Sequence, residues 1–276
     1  MLSGINADGT WITVLRDVRK RGIEVISRER RHQEIIACQS WLPMSRPVVT
    51  AVGRKLGYRF MAAEAWWILS GRNDVSSIAM FSKKISAFSD DGVRFNGAYG
   101  PKVIDQLSYA IHALNSDPGT RQAVINIWRE NPRPSKDTPC TLSVQFLIRN
   151  NVLHCVDTMR SSDLWLGWPY DVFNFSTLAL YVLLELRRTN LELKDLKLGG
   201  LTMNCGSQHI YLDNIEQVDV ILEDIRLQDA TYYDALDYDE FKSGAQLLCH
   251  LNALITTGDS SWGWLKELFQ KNKETK

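Results

Sequence analysis

The sequence has no surplus of charge of either sign and no apolar run long enough to cross a bilayer. Its 32 lysines and arginines balance 32 aspartates and glutamates over 276 residues. No overall field therefore favours nucleic acid or an anionic membrane surface. No segment approaches the ~20 apolar residues of a membrane-spanning helix. We expect a protein that binds neither nucleic acid nor membrane, with any anion site built locally.

The cysteines also lack the spacing of a structural motif. There are five, with no Cys-x-x-Cys pair and no closely spaced cysteine and histidine set, which argues against a disulfide framework and a zinc site. The first 22 residues do not have the layout of a signal peptide. We expect a cytoplasmic protein without a metal.

Apolar and aromatic residues, in contrast, are plentiful. Hydrophobic residues make up 45% of the chain and include nine tryptophans, as in folded globular proteins. Helical periodicity marks four segments, which are "WITVLRDVRKRG", "FMAAEAWWILSG" ending at Gly71, "IDQLSYAIHALNSDPGT" and "NFSTLALYVLLELRR". Strand patterns mark "EIIACQSWLP", "RQAVINIW", "TLSVQFLIRNNVLHCVDTMR" with a hairpin turn at Asn150 and Asn151, and "LKLGGLTMNCGSQHIYL". Without a linker or repeat, this predicts one mixed α+β domain over 1–276 with a mostly continuous sheet.

Cys140 is the cysteine best placed to act as a nucleophile. It follows Pro139 at the end of a polar loop and directly precedes a predicted strand. Such a position holds a thiol rigidly and within reach of a substrate, although reactivity requires cationic neighbours that lower the thiol pKa. The alternative is a small buried apolar residue, and this is how we interpret the other four cysteines.

Two further pairs are suited to binding a ligand. Arg160 and Ser161 end a strand, and a guanidinium beside a hydroxyl suits a phosphate. The basic run at 27–31 either serves the same anion or is a solvated face. His209 and Tyr211 are two residues apart on a strand and so point to the same side. They suit a sugar hydroxyl, and a satisfied core histidine is the alternative.

Two carboxylates occur in apolar surroundings. Glu64 is the one acid of the helix "FMAAEAWWILSG", and Asp171 lies among the aromatic residues of "RSSDLWLGWPYDVFNF". Apolar surroundings raise the pKa of a carboxyl group. A structural alternative for Asp171 is an N-cap of the helix that we expect to begin near Phe173.

The order of these motifs resembles the thymidylate synthase family. The carriers of the resemblance are "PC" at 139–140, "QF" at 145–146, "RSSDLWLGWPYD" at 160–171 and "GSQHIY" at 206–211, preceded by "AEAWWILSGRNDV", "GAYGPKV" and "DPGTRQAVINIW". The resemblance covers roughly residues 8–225. It implies the fold of that family, a large mixed twisted β-sheet packed with helices that dimerises through the sheet.

The resemblance also implies a role for each matching residue. Cys140 would add to C6 of a pyrimidine nucleotide, and Glu64, Asp171 and Tyr99 would complete the catalytic group. The nucleotide would be bound by Arg28, Arg121, Arg160, Ser161, Asp163, Asp171, His209 and Tyr211. The co-substrate 5,10-methylenetetrahydrofolate would contact Ile85, Phe88, Asp163 and Gly167.

The resemblance leaves open which arginines bind the phosphate. Arg160, Ser161 and Arg28 would hold the phosphate, with Arg30 a rival to Arg28, and Arg121 would reach into the site of a partner subunit in a homodimer. Arginines around the nucleotide would also favour the thiolate of Cys140. The chain departs from the family at Gln122, where many relatives have a second arginine, and at Thr141, where synthases usually have histidine.

The residue at position 171 indicates which base the chain binds. Synthases that act on dUMP have asparagine at the matching position, whose amide pairs with N3–H and O4 of uracil. Cytosine presents an amino group at C4 and a bare acceptor at N3, so a protonated carboxyl group matches it better. The resemblance therefore implies a cytidylate substrate.

The expected product is a 5-hydroxymethyl nucleotide. "GSQHIY" resembles the form of this motif in phage deoxycytidylate hydroxymethylases, and "WGWLKELFQKNKETK" does not resemble the apolar tail with which synthases seal their site. We expect 5-hydroxymethyl-dCMP formed by water attack, in a bacterial cytosol or that of a phage-infected host. The alternatives are CMP hydroxymethylation, reductive methylation of dCMP, a thymidylate synthase, or a non-catalytic nucleotide or RNA binder.

Overall fold

A seven-stranded mixed sheet organises the chain. The computed structural model describes residues 1–228, 235–258, 262 and 265–268. Most of "WGWLKELFQKNKETK" lies outside the described residues. The strands are β1 (Leu2–Ser3), β2 (Ile23–Ser27), β3 (Arg30–Pro43), β4 (Val124–Asn126), β5 (Thr141–Arg149), β6 (Val152–Asp163) and β7 (Lys197–Tyr211). Their order is β1-β3-β7-β6-β5-β4, with β2 paired to β3. The β1/β3 and β6/β7 pairs are parallel and the others antiparallel.

Helices pack on the sheet and on one another. They are α1 (Ala7–Arg21), α2 (Tyr58–Leu69), α3 (Val75–Ala79), α4 (Tyr99–Ser116), α5 (Trp168–Thr189), α6 (Ile215–Glu223), α7 (Ile225–Gln228) and α8 (Gly244–Thr256). The predicted α+β class is confirmed. A single domain over 1–276 stays a prediction. Within the described ranges, no helix is long and apolar enough to cross a membrane.

Two tight turns set the register of the strands that they join. Asn150 and Asn151 have φ values of 51° and 57°, the left-handed conformation that asparagine tolerates in two-residue hairpins. They join β5 to β6, which confirms the predicted hairpin. Arg28 and Glu29 form the equivalent turn between β2 and β3, with φ values of 50° and 63°. Arg28 therefore lies at a hairpin tip.

The predicted start of α5 is wrong. This helix begins at Trp168, preceded by Gly167, and carries Asp171 in its first turn. The early start follows from Pro169, whose fixed φ and missing N–H suit the first turn of a helix. Asp171 is therefore not the N-cap, and that structural alternative is removed. Similarly, α4 begins at Tyr99 rather than near Ile104, with Pro101 in its first turn.

The core lies between α5 and one face of the sheet. Along β6, Leu153, Cys155, Asp157 and Met159 are buried while the residues between them are half-buried. This alternation shows that only one face is covered by the helices. The central α5 is buried along most of its length, so it holds the residues of its first two turns rigidly against the strands.

Candidate active site

A cavity of about 180 Å³ opens between α2, the first turn of α4 and the first two turns of α5. It is lined by Glu64, Trp67, Ile68, Ile85, Phe88, Phe95, Gly97, Ala98, Tyr99, Asp137, Asp171 and Asn174. The predicted residues Glu64, Asp171 and Tyr99 thus meet at one cavity, together with the two predicted for the folate, Ile85 and Phe88.

Cys140 lies next to this cavity, directly before β5. Its Sγ is 3.8 Å from Nη2 of Arg160, and the backbone N–H of the next residue, Thr141, donates to Oη of Tyr99 at 3.2 Å. Arg160 also donates to the carbonyl oxygens of Pro139 and Thr138, at 2.9 and 3.0 Å. The guanidinium of Arg160 therefore holds the loop that carries the thiol.

The protonation of this thiol differs from our expectation. Burial raises the pKa of Cys140, and Asp171 adds to that effect, whereas Arg160 and Arg28 lower it by less than burial raises it. The thiolate is thus disfavoured in the structure despite two nearby arginines, because desolvation opposes the charged form.

The two candidate arginines of the β2–β3 hairpin have different surroundings. The guanidinium of Arg30 lies 3.6 Å from the centre of the Tyr211 ring and donates to Asp213 at 2.9 Å. Arg28, at the hairpin tip, is near enough to lower the pKa of Cys140. The structure thus favours Arg28 as the arginine that faces the thiol.

Arg121 is not brought to the site of its own chain. It precedes β4, the edge strand farthest from β3, and its carbonyl oxygen accepts a hydrogen bond from Gln145. Gln145 is five residues beyond Cys140, which at ~3.3 Å per residue is roughly 16 Å along β5.

The end of β7 carries a cluster of aromatic and polar side chains. The rings of His209 and Tyr211 are 5.0 Å apart, and that of His32 on β3 is 5.2 Å from His209. Ser207 donates a hydrogen bond to Glu34, whose carboxylate is 3.5 Å from His32. Burial lowers the pKa of His209, so its ring is neutral near pH 7. Sequence reasoning did not find His32 or Glu34.

Glu64 and Asp171 form a pair of buried acids. Burial raises the pKa of Glu64 to about 7, although a hydrogen bond from Asn174 opposes the shift. Burial also raises the pKa of Asp171 to about 7, with further contributions from the charges of Glu64 and Asp163. The expected upward shift of Asp171 is therefore found. The charge of Glu64 is thus one of the reasons that Asp171 keeps its proton.

These raised pKa values predict a pH-dependent stability. Between about pH 4 and 7 the folded chain binds more protons than the unfolded one, so the free energy of unfolding falls as pH rises through this window. Glu64→Gln or Asp171→Asn should each raise the melting temperature at pH 8 by about 3–6 °C, on the order of 1–2 kcal/mol. Neither should change it at pH 4. Thermal melts across pH test this, and parallel curves for variant and parent would contradict it.

Gly167 and Asp163 shape the turn before α5. Oδ1 of Asp163 accepts from the backbone N–H groups of Trp165 and Leu166, at 2.7 and 3.0 Å. A Cβ on Gly167 would lie 3.3 Å from Oδ2 of Asp171, so glycine leaves room for that carboxyl group. In the parts of the chain that the structure describes, no group of three or more histidine, cysteine or acidic side chains is arranged to hold a metal.

Comparison with known proteins assigns the family. The sequence model of thymidylate synthase matches residues 10–232. The chain belongs to the thymidylate synthase family. This confirms the predicted family and its mixed sheet packed with helices, whereas dimerisation through the sheet stays a prediction.

Two relatives of this chain are phage proteins. The chain is 32% identical over 236 residues to the deoxyuridylate hydroxymethyltransferase of Bacillus phage SP01, covering 77% of this chain and 59% of the relative. It is 37% identical over 133 residues to the deoxyuridylate hydroxymethyltransferase of Pseudomonas phage M6, covering 45% of this chain and 38% of that protein. The chain thus spans less than two thirds of either relative. Both names specify deoxyuridylate, whereas Asp171 led us to expect a cytidylate.

Proposed function

We propose that this chain transfers a one-carbon unit from 5,10-methylenetetrahydrofolate to C5 of a pyrimidine nucleoside monophosphate and yields the 5-hydroxymethyl nucleotide. The observation that carries the proposal is that Cys140 lies beside a cavity lined by two acids of raised pKa, Glu64 and Asp171, the second of which acts electrostatically on the thiol. A thiol that adds to C6 and acids that move protons around the base are the groups this chemistry needs.

The nucleotide is held by the strands around Cys140. Arg160, Ser161 and Arg28 bind the phosphate. The negative charge of the phosphate would then lie next to the two arginines that lower the pKa of the Cys140 thiol. His209 and Tyr211 bind the 3′-hydroxyl, since their rings lie 5.0 Å apart at the end of β7. Tyr99 and Asp163 support proton transfer. Oη of Tyr99 accepts from the backbone N–H of Thr141, and Asp163 also holds the turn before α5.

The matched pair Arg28 and Arg30 tests the phosphate assignment. Arg28→Ala is expected to weaken binding of a nucleoside monophosphate about tenfold, equivalent to about 1.4 kcal/mol. Arg30→Ala should change it less than about twofold, because Arg30 is engaged by Asp213 and Tyr211. Titration calorimetry measures both, with the nucleoside as control. A larger effect for Arg30, or an equal loss with the nucleoside, would contradict the assignment.

The cavity suits the folate co-substrate. Trp67, Ile85 and Phe88 give it an apolar and aromatic wall, and the Phe88 side chain is 56% exposed, so its ring is available to a flat ligand. When bound, methylenetetrahydrofolate supplies a carbon at the oxidation level of formaldehyde. Ile85, Phe88, Asp163 and Gly167 are the residues we assign to its site.

Cytosine is our preferred base and dCMP the preferred nucleotide. Protonated Asp171 accepts from the 4-amino group of cytosine through one oxygen and supplies a proton to N3 through the other. Its pKa of about 7 keeps a large protonated fraction at neutral pH. A second candidate is dUMP, favoured by the printed names of both phage relatives. CMP differs from dCMP in the 2′-hydroxyl alone.

Water attack is preferred to reduction because both relatives are hydroxymethyltransferases by name. A reductive dCMP methylase or thymidylate synthase would instead consume the folate as a reductant and release dihydrofolate. The setting we propose is the cytoplasm of a bacterium or of a phage-infected host.

We further propose a homodimer joined through the open face of the sheet. This face carries half-buried side chains, among them Leu147, Val156 and Thr202. Because Arg121 is remote from Cys140 in its own chain, it would complete the phosphate site of the partner.

Incubation with methylenetetrahydrofolate and dCMP, CMP or dUMP in turn tests the proposal. Mass spectrometry identifies each product while absorbance follows dihydrofolate. We expect a hydroxymethyl product from dCMP and no dihydrofolate. A methyl product with dihydrofolate would replace hydroxymethylation by reductive methylation, and binding without turnover would refute an enzymatic role.

A further inference from the structure

Asn174 is hydrogen-bonded to Glu64, one of the two acids of the cavity, although no motif pointed to it. It lies three residues after Asp171 on α5, so both side chains lie on the same face of the helix. Its Nδ2 donates to Oε2 of Glu64 at 2.8 Å. Glu64, Asp171 and Asn174 all line the cavity.

The other end of this amide has no partner. Asn174 is 6% exposed, and its Oδ1 is buried without a hydrogen bond among the described residues. A buried acceptor left unpaired costs about 1–3 kcal/mol. Because Oδ1 belongs to a residue of the cavity wall, a donor that enters the cavity would satisfy it.

The donor best suited to this position is water. The cavity volume of about 180 Å³ exceeds the ~30 Å³ that one water occupies in the liquid. A bound water needs two to four polar partners, and the amide oxygen of Asn174 and the carboxylate of Glu64 are two acceptors whose side chains are hydrogen-bonded to each other. Both atoms belong to side chains on helices packed into the core, so a water between them would be held in a defined position.

We propose that Asn174 and Glu64 together hold the water that attacks the exocyclic carbon of the nucleotide. Asn174 is a positioning residue in this arrangement: its carbonyl oxygen accepts one hydrogen of the water, and its NH₂ group fixes the carboxylate of Glu64, which accepts the other. This inference rests on the proposed hydroxymethylation.

The step balances without a reductant. The water oxygen forms a bond to the exocyclic CH₂ carbon of the base that is joined to Cys140 at C6, and the water proton passes to Glu64. The π electrons of the exocyclic double bond move into the ring, and they then restore C5=C6 as the bond from C6 to sulfur breaks. Cys140 leaves with the electron pair as a thiolate. Water is added and the thiolate is released, so the step needs neither an oxidant nor a reductant.

Asn174→Leu tests the inference because leucine has a similar size and no hydrogen-bonding group. Two readouts use dCMP labelled with tritium at C5. Release of tritium reports the steps up to loss of the C5 proton, and the mass of the product reports water attack. We expect tritium release within about threefold of the parent and hydroxymethyl product reduced about 10²-fold, the scale of one positioned proton-transfer partner. An added thiol should divert the variant's product to a thioether.

Controls separate this role from folding and from the proposed function. Ser176→Ala alters a buried polar residue of the same helix that does not line the cavity, and it should leave both readouts unchanged. Parallel losses of tritium release and product in Asn174→Leu, or product within about twofold of the parent, would overturn the inference alone. A parent protein that makes only a methyl product with dihydrofolate would overturn the proposed function and this role with it.

Discussion

Replacement of Cys140 by alanine is expected to abolish turnover, with kcat reduced at least about 10⁴-fold. In the proposed mechanism, a covalent bond from the sulfur of Cys140 to C6 would make C5 a carbon nucleophile, and alanine cannot form this bond. Nucleotide binding should change less than about threefold, because Arg160 and Arg28 keep their charges. Steady-state kinetics and calorimetry measure the two quantities.

The other cysteines provide the control for this prediction. Cys249 is exposed on α8, whereas Cys38, Cys155 and Cys205 are buried. Cys249→Ala should retain activity within about twofold of the parent. Turnover by Cys140→Ala above about 1% of the parent rate would exclude a covalent step through this residue.

The behaviour of Cys140 also shows what a sequence can and cannot predict about a site. The motif order identified the residue and placed it between a loop and β5, as the structure has it. Its pKa depends on how many atoms exclude water from the sulfur, which is a property of the whole fold. Sequence reasoning treated burial only as the alternative to a reactive thiol and expected the arginines to favour the thiolate, whereas in the structure burial raises the pKa of Cys140.

Local signals predicted the elements whose ends they mark. The Asn150–Asn151 dipeptide has the conformation that a two-residue hairpin requires, and Gly71 follows the end of α2 with a φ of 70°. The predicted start of α5 was wrong because the apolar run was given more weight than Pro169. This proline favours the first turn of a helix and would have placed the start correctly.

The residues that sequence reasoning missed are joined to the site by long-range pairing. His32 meets His209 because β3 and β7 are antiparallel neighbours, a register that pairs Glu34 with His209. Asn174 meets Glu64 across 110 positions of the chain. Its position one helical turn after Asp171 was the one available signal, and it became meaningful only once α5 was known to begin at Trp168.

The second large effect is a change of base preference in Asp171→Asn. We expect kcat/KM for dCMP to fall at least about 10³-fold while that for dUMP rises, because a buried site built for one hydrogen-bonding pattern rejects the reverse pattern by as much as about 10⁴–10⁵. Competition between the two nucleotides, followed by product mass, gives the ratio directly. Glu64→Gln is the matched control and should slow both nucleotides in similar proportion.

The pH dependence gives this prediction a second, independent readout. In the proposed site, recognition of cytosine requires the protonated form of Asp171, and the pKa of this carboxyl group is about 7. In the parent, kcat/KM for dCMP should therefore fall as pH rises above about 7, since the carboxylate can no longer supply N3 with a proton. Asp171→Asn acting on dUMP should lack this decline, because an amide does not titrate. If the parent instead prefers dUMP and shows no such decline, Asp171 does not read the base, and the deoxyuridylate preference named for the phage relatives extends to this chain.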